Sequence, residues 1–309
     1  MGFTSGAKNL YDIVDDIADG LIASSASWEE GDATLDTTDR TNGQEYGSRC
    51  LKYTGDSADI WFLLTVGNYS TSVYSTTYFA KGLRITMSSS WDAINHEPPA
   101  GAMYTYISFE QEANAQATAD LASLQLTYYL WIDEFGFCIM AKPEPFAADA
   151  HQESFFCSLE RVPTKEYSDG YSNFFLTSHC NIWSSRYHTS YPDTHRHSCY
   201  LRFPNVKYPT STTTASAWNH GVSLPPIRYY AFKSNGNGKV YYVKPVYHNT
   251  VDCMTPIAQA NNWFYWSEIA GLVDGDIVAI DGETTKYLCK SLDSPNNTNR
   301  LTYAIKYVA

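Results

Sequence analysis

The sequence predicts a mainly β protein, built of antiparallel sandwich- or barrel-like sheets with one N-terminal amphipathic helix. Three observations predict it. Short apolar runs recur from Trp28 to Val308 and are broken by Gly, Asn, Asp, Ser and Thr. Aromatic residues, which cover a pleated surface well, are abundant, with 25 Tyr, 14 Phe and 8 Trp. A strong helical period occurs in one segment alone, near the start of the chain.

In that segment Leu10, Ile13, Val14, Ile17 and Leu21 recur at helical spacing, and Asp12, Asp15, Asp16 and Asp19 occupy the other faces. Ser5 or Thr4 is the expected N-cap, and Gly20 lies near the expected end. Such a helix docks on a sheet or on a neighbouring molecule, so Leu10, Ile13 and Ile17 are candidate interface residues.

Further on, Asp59 to Val66 reads as a buried strand, and Lys81 to Met87 alternates apolar and polar like a half-buried one. Glu97-Pro98-Pro99-Ala100-Gly101 then breaks regular structure. Glu112 to Leu121, rich in Ala, Gln and Asn, reads as a surface loop in preference to a helix. A hairpin is expected from Leu126–Ile132 through Asp133-Glu134 into Phe135–Met140, with a third strand at Ser154–Leu159. Two more hairpins are expected at Ile227–Phe232 with Val240–Val243, and at Asp276–Ile280 with Thr285–Cys289 across Asp281-Gly282. A last strand covers Leu301–Val308. The Ser/Thr/Pro-rich stretch Pro209–Ala217 divides residues 1–208, the helix plus a β domain, from residues 209–309, a C-terminal β domain packed on the first.

Charged residues make up 17% of the chain, below the usual quarter, and the net charge is −12. An acidic chain lacks the positive field that non-specific binding to DNA, RNA or anionic membrane requires, so neither a nucleic acid nor a membrane is an expected partner. The opening residues lack a basic region followed by an apolar stretch, which predicts synthesis in the cytosol without a secretory signal. The seven cysteines contain no C-x-x-C pair and read as reduced, buried thiols. Disulfides between neighbouring copies are the alternative.

The one dense constellation of metal-binding types is His179-Cys180, His188 and His195-Arg196-His197-Ser198-Cys199. On a strand His195, His197 and Cys199 would share a side, and His179 or His188 could complete a tetrahedron of zinc ligands. The spacings match no established finger or ribbon, which favours a polar loop with hydrogen-bonded histidines. No cofactor is expected. Asn262-Trp263-Phe264-Tyr265-Trp266 reads either as a sugar-stacking platform or as core and interface. The second is favoured, making Trp263, Phe264 and Trp266 candidate interface residues. No G-x-S-x-G elbow is present. The acidic pairs Asp15-Asp16, Glu29-Glu30 and Glu110/Glu112 read as solvated charge, and Asp274-Gly275-Asp276 as a turn entering a strand. No catalytic residue is expected.

Several segments, in order, carry a resemblance to a known group. They are Phe3-Thr4-Ser5-Gly6 with the helix and Trp28, and Leu83–Asp92 followed by Pro98-Pro99-Ala100-Gly101. Tyr128–Asp133 comes next, with Phe155–Arg161 downstream, and then Asp274–Val278, Tyr287-Leu288 and Tyr303–Lys306. Together they resemble virion structural proteins of contractile-tailed bacteriophages, encoded near the sheath and tube genes. The resemblance implies a non-enzymatic subunit of the neck, collar or tail. Its partners would be copies of itself and neighbouring tail or neck proteins. A baseplate or receptor/carbohydrate-binding tail protein is the alternative, and a depolymerase has no motif behind it. The expected mechanism is burial of aromatic-rich faces by adjoining subunits in a ring.

Overall fold

The structure, a computed structural model, describes residues 2–37, 47–73, 76–100, 102–113, 121–144, 154–164, 173–180, 199–201, 220–223, 246–249, 256–265, 272–280, 282–292 and 301–308. In chain order the elements are β1 Gly2–Lys8, α1 Leu10–Ser24, β2 Trp28–Asp32, β3 Gly47–Tyr53, β4 Ile60–Val73, β5 Thr76–Ser88 and β6 Met103–Ala113. There follow β7 Gln125–Asp133, β8 Gly136–Glu144, β9 Phe155–Arg161, β10 Phe174–Cys180, β11 Cys199–Leu201 and β12 His220–Ser223. The rest are β13 Val246–Asn249, β14 Pro256–Gln259, β15 Trp263–Tyr265, β16 Ile277–Ala279, β17 Lys286–Leu292 and β18 Leu301–Tyr307. The protein is mainly β, with antiparallel sheets and one helix near the N-terminus, as the sequence predicts.

The sheets stack in layers. A nine-stranded sheet, ordered β1-β7-β8-β9-β10-β11-β12-β13-β14, is central; a five-stranded sheet, β2-β3-β4-β5-β6, and a four-stranded sheet, β15-β18-β17-β16, complete the set. Successive side chains of a strand point to opposite faces, and β7 to β10 use both. Leu126, Leu130 and Ile132, with Phe137, Ile139, Phe155, Leu159, Phe174 and Leu176, face a core shared with α1 and the five-stranded sheet. Trp131, Cys138, Met140, Phe156 and Phe175 face a second core, shared with Trp263, Tyr303 and Ile305 of the four-stranded sheet. Strands buried on both faces read as near-continuous apolar runs, which is why Leu126–Ile132 and Phe155–Leu159 are legible as strands.

Four aromatic rings knit the first core. Trp28 lies 5.0 Å from Tyr53, 5.4 Å from Phe62 and 5.6 Å from Phe174, mostly edge to face. In the second, Phe156 stacks on Tyr303 at 4.1 Å and meets Trp263 at 4.8 Å. Two cations pin the four-stranded sheet to the central one: Lys290 lies over the Tyr129 ring at 4.5 Å and Lys306 over Trp131 at 5.9 Å.

The helix departs from expectation at its start. Thr4 and Ser5 do not cap it; they belong to β1, which pairs along its whole length with β7. The N-cap is Asn9, whose side chain accepts from the Asp12 N–H at 2.9 Å. Gly20 lies inside the helix, where a Cβ would run into the Ile132 side chain, so its lack of one sets how closely helix and β7 approach. On the outer side of the helix, Arg49 of β3 reaches Asp15 at 2.9 Å, Asp19 at 3.0 Å and Glu30 at 2.6 Å. The expected solvated pairs Asp15-Asp16 and Glu29-Glu30 are therefore partly engaged: Asp16 binds Lys8 at 2.8 Å, and Glu29 binds Lys52 at 3.1 Å.

The hairpin turn falls one residue later than expected. Asp133 pairs with Gly136, leaving Glu134-Phe135 as the loop. The reason is local: Asp133 Oδ1 accepts from the Phe135 N–H at 2.9 Å, holding Asp133 on the strand side of the turn. The turn near Gly282 is present, with Gly282 at φ +84 and the Glu283 N–H donating to the Ile280 carbonyl at 2.9 Å. Glu112, expected in a loop, ends inside β6. The expected hairpin at Ile227–Val243 and the Pro209–Ala217 boundary lie outside the described residues.

Two expectations about stability follow. Arg49→Met leaves three neighbouring carboxylates without their shared cation and should cost about 1–3 kcal/mol, read as a lowered urea midpoint with an unchanged slope. Trp263→Ala empties the centre of the second core and should cost about 3–5 kcal/mol in the same measurement. A change under about 0.5 kcal/mol would instead return Trp263 to a surface role.

Candidate interaction surface

Most residues expected to meet a neighbour are covered by the chain itself. Leu10, Ile13 and Ile17 are buried in the first core, under the central and five-stranded sheets. Trp263 is buried in the second core, and Phe264 in a third small cluster with Leu272, Ile280 and Tyr287. These five positions are corrected from interface to core: Leu10, Ile13 and Ile17 form the apolar stripe of α1 against the sheets, and Trp263 and Phe264 fill inner faces of a three-sheet stack. Trp266 lies outside the described residues.

The histidine–cysteine constellation is placed only in part. His179 lies in β10, paired with Phe156 of β9, and Cys199 opens β11 opposite Ser178. His188, His195 and His197 lie outside the described residues. Among the described residues no group of three metal-ligating side chains gathers. Among the described residues, Cys50, Cys138, Cys157 and Cys289 are free and buried. Burial raises all four thiol pKa values, that of Cys289 to about 12, so these thiols stay protonated and unreactive. Asp274 accepts from the Ser291 N–H at 2.7 Å and from Lys290 at 3.0 Å, and Gly275 has φ +93; this is the turn the sequence predicts.

Among the described residues, a small set of apolar side chains remains outward, foremost Ile94, which is 87% exposed. It sits at the tip of the loop between β5 and β6, and the loop is built to hold it there. Asp92 and Glu97 exchange backbone hydrogen bonds, 3.0 and 3.3 Å, closing a short stem. Asp92 Oδ1 accepts from the N–H groups of Ile94 and Asn95, 2.9 and 3.1 Å, and Oδ2 from the Asn95 amide at 2.7 Å. These bonds lower the Asp92 pKa, with the Asn95 amide the largest cause. His96 then takes a left-handed conformation, φ 55, which turns the chain back toward β2.

The anchor is Asp32, the last residue of β2. Its Oδ2 accepts from Trp91 Nε1 at 2.9 Å and faces His96 Nδ1 at 2.8 Å. Its Oδ1 accepts from the Thr34 hydroxyl at 2.6 Å and the Thr34 N–H at 3.0 Å. Burial pushes the Asp32 pKa up, but the bonds from Thr34, His96 and Trp91 outweigh it and hold the carboxyl far below the usual carboxylate range. Trp91 in turn stacks on Trp61 at 5.8 Å and 13°, and Lys52 lies over Trp61 at 5.2 Å. The loop is thus fixed from three sides while its apolar tip stays in water. An Asp–His pair of this kind can orient an imidazole for proton transfer, but the hydroxyl beside it, Thr34 Oγ1 at 2.9 Å, meets the same Nδ1 that faces Asp32 and is itself bonded to Asp32 Oδ1, so these hydrogen bonds serve to clamp.

The sequence signals only part of this. Pro98-Pro99 marks a break, but Asp32 and Trp91 are 59 positions apart and nothing local joins them. Val273 and Ile277 are also exposed, 61% and 49% open; Ile277 opens β16, the edge strand of the four-stranded sheet, and Val273 precedes it in the turn. Among the described residues, no helix is long and apolar enough to cross a membrane. Comparisons with protein-family models, with curated proteins and with solved structures found no match.

The Asp32 clamp has a definite pH signature. A carboxyl whose folded pKa lies below its unfolded value stabilises the fold at every pH above the unfolded value, and loses that effect as pH falls through the folded value. Trp91 indole N–H resonances should therefore hold their position through the usual carboxylate range and move only in stronger acid. Asp32→Asn should raise amide exchange at Ile94 and Asn95 by at least about tenfold. Unchanged exchange would show that the stem alone holds the loop.

Proposed function

We propose that this chain is a structural subunit of the virion of a contractile-tailed bacteriophage, working at the neck, collar or tail. It acts there by ring-like self-association and by contacts with neighbouring tail proteins. The observation that carries this reading is the clamped loop: an isoleucine held rigidly in water, on a chain whose described large aromatics are mostly inside its own cores. Holding an apolar group exposed costs solvation free energy and is repaid when a partner covers it. Fixing the loop beforehand removes the ordering entropy that binding would otherwise cost.

The contact energy per subunit is modest. Covering one isoleucine contributes about 2 kcal/mol at about 25 cal/mol per Å² of apolar area. A head-to-tail contact whose rotation closes into a ring repeats that term at each junction. The net charge of −12 keeps free subunits soluble before assembly, and acidic surface facing a ring lumen would not retain DNA.

Sedimentation of the purified chain across a concentration series, with crosslinking of intact particles, tests the proposal. The chain should self-associate, and crosslinks should run from residues 91–97 to a neighbouring subunit. Ile94→Asp should reduce self-association while changing folding stability by less than about 0.5 kcal/mol, since the side chain touches no core. A monomer at all concentrations that also makes no crosslink in particles would end the proposal, as would turnover of a bacterial surface polymer.

A further inference from the structure

The loop that holds Ile94 also presents an imidazole whose tautomer is fixed, and the clamp uses only one of its two nitrogens. Among the described residues His96 is the one non-glycine position with positive φ, and its side chain is 41% exposed where that of Asp32 is 8% exposed. His96 Nδ1 lies 2.8 Å from Asp32 Oδ2 and 2.9 Å from Thr34 Oγ1. An ionised carboxylate can only accept, and the Thr34 hydroxyl already donates to Asp32 Oδ1 at 2.6 Å. Both neighbours of Nδ1 are therefore acceptors, so the ring proton sits on Nδ1. In the neutral ring the other nitrogen, Nε2, is then a bare acceptor, and among the described residues nothing donates to it. Ile94 stands two residues away and is 87% exposed. A neighbour that covers the isoleucine also comes against the imidazole, and shutting an acceptor from water without a donor cancels much of what covering one isoleucine gains.

We propose that His96 is the polar half of the Ile94 contact: its neutral Nε2 accepts a hydrogen bond from an N–H or O–H of the neighbouring copy, and protonation of the ring weakens the assembly. The proposal rests on the self-association reading and adds the chemistry of the opposing surface, a donor beside an apolar hollow. Protonation places a hydrogen on Nε2 and sets donor against donor. Imidazole is the side chain that ordinarily changes charge between about pH 5 and 8. The charged groups that face His96 hold theirs across that window. Asp32, at the end of β2, has its carboxyl far below the usual carboxylate range, and Asp92, in the loop stem, is lowered chiefly by the Asn95 amide. Thr34 and Trp91 carry no charge, and Glu97, next in the chain, is exposed. The clamp itself persists, because Nδ1–H is present in both forms of the ring. The added positive charge draws acidic copies together only over distances that salt screens, whereas the clash of donors acts at contact.

The test follows self-association of the full chain by sedimentation at about pH 8 and about pH 5.5, in about 0.3 M salt. Association should weaken at least about tenfold in acid. His96→Asn keeps a residue that tolerates the left-handed conformation and removes the titration. Its association should be weak already at the higher pH and no weaker at the lower. Because that variant can also loosen the loop, nitrogen NMR of the unaltered ring gives a second readout. It should show a protonated Nδ1 and a bare Nε2 at the higher pH, with the Nε2 signal moving as subunits associate. A neutral ring protonated at Nε2, an acid effect of equal size in His96→Asn, or association indifferent to pH overturns the proposal. Self-association that Ile94→Asp reduces, but neither acid nor His96→Asn changes, removes the role of His96 alone. A chain monomeric at every concentration and pH removes it together with the self-association reading.

Discussion

The architecture depends on β7 to β10 being buried on both faces. Alternation along these strands sends Leu130 and Ile132 one way and Trp131 the other, and likewise Phe155 and Leu159 against Phe156. Each set then needs a cover. The first is covered by α1 and the five-stranded sheet, the second by the four-stranded sheet. A shift of one residue in register would exchange the two sets and place Trp131 against the helix, so the β7–β8 hairpin fixes the layer order as well as one pairing. The Asp133 turn matters for that reason. Its carboxylate holds the Phe135 N–H at one oxygen and Trp131 Nε1 at the other, 3.0 Å away, tying register to the second core.

This constraint explains what the sequence reveals and what it hides. Two-faced burial makes β7 and β9 apolar throughout, so both are readable, and α1 is readable because one helical stripe is apolar over fifteen residues. Strand β1 escapes because its residues are small and exposed, and Thr4 and Ser5 imitate a helix cap; only pairing with Leu126–Ile132, far along the chain, makes it a strand. β2 and β3 escape because Glu29, Glu30, Arg49 and Lys52 interrupt their apolar pattern, and those charges find their partners across strands.

The aromatic excess is the instructive case. Composition counts rings without saying which molecule covers them. Trp263 and Phe264 look like interface residues if one sheet face is assumed free, yet a stack of three sheets has more inner faces than a two-layer sandwich and fills them from within. The exposed apolar site is correspondingly small. Ile94 is unremarkable in sequence, and the groups that make it rigid, Asp32, Thr34 and Trp91, become neighbours only through folding.

Among the described residues little apolar area is left for partners, and this shapes how the proposed subunit would assemble. A single isoleucine contributes too little to hold two subunits together at low concentration, given the several kcal/mol of rigid-body entropy lost on association. Closure changes the balance, because the last contact of a ring is made at a high effective concentration set by the contacts before it. Weak, preorganised contacts on an acidic chain therefore favour subunits that stay separate until a neighbouring surface gathers them. Strong pairwise contacts would instead produce aggregates of arbitrary size before a ring could close. A clamped Ile94 meets that requirement: it is fixed in place, and it is small.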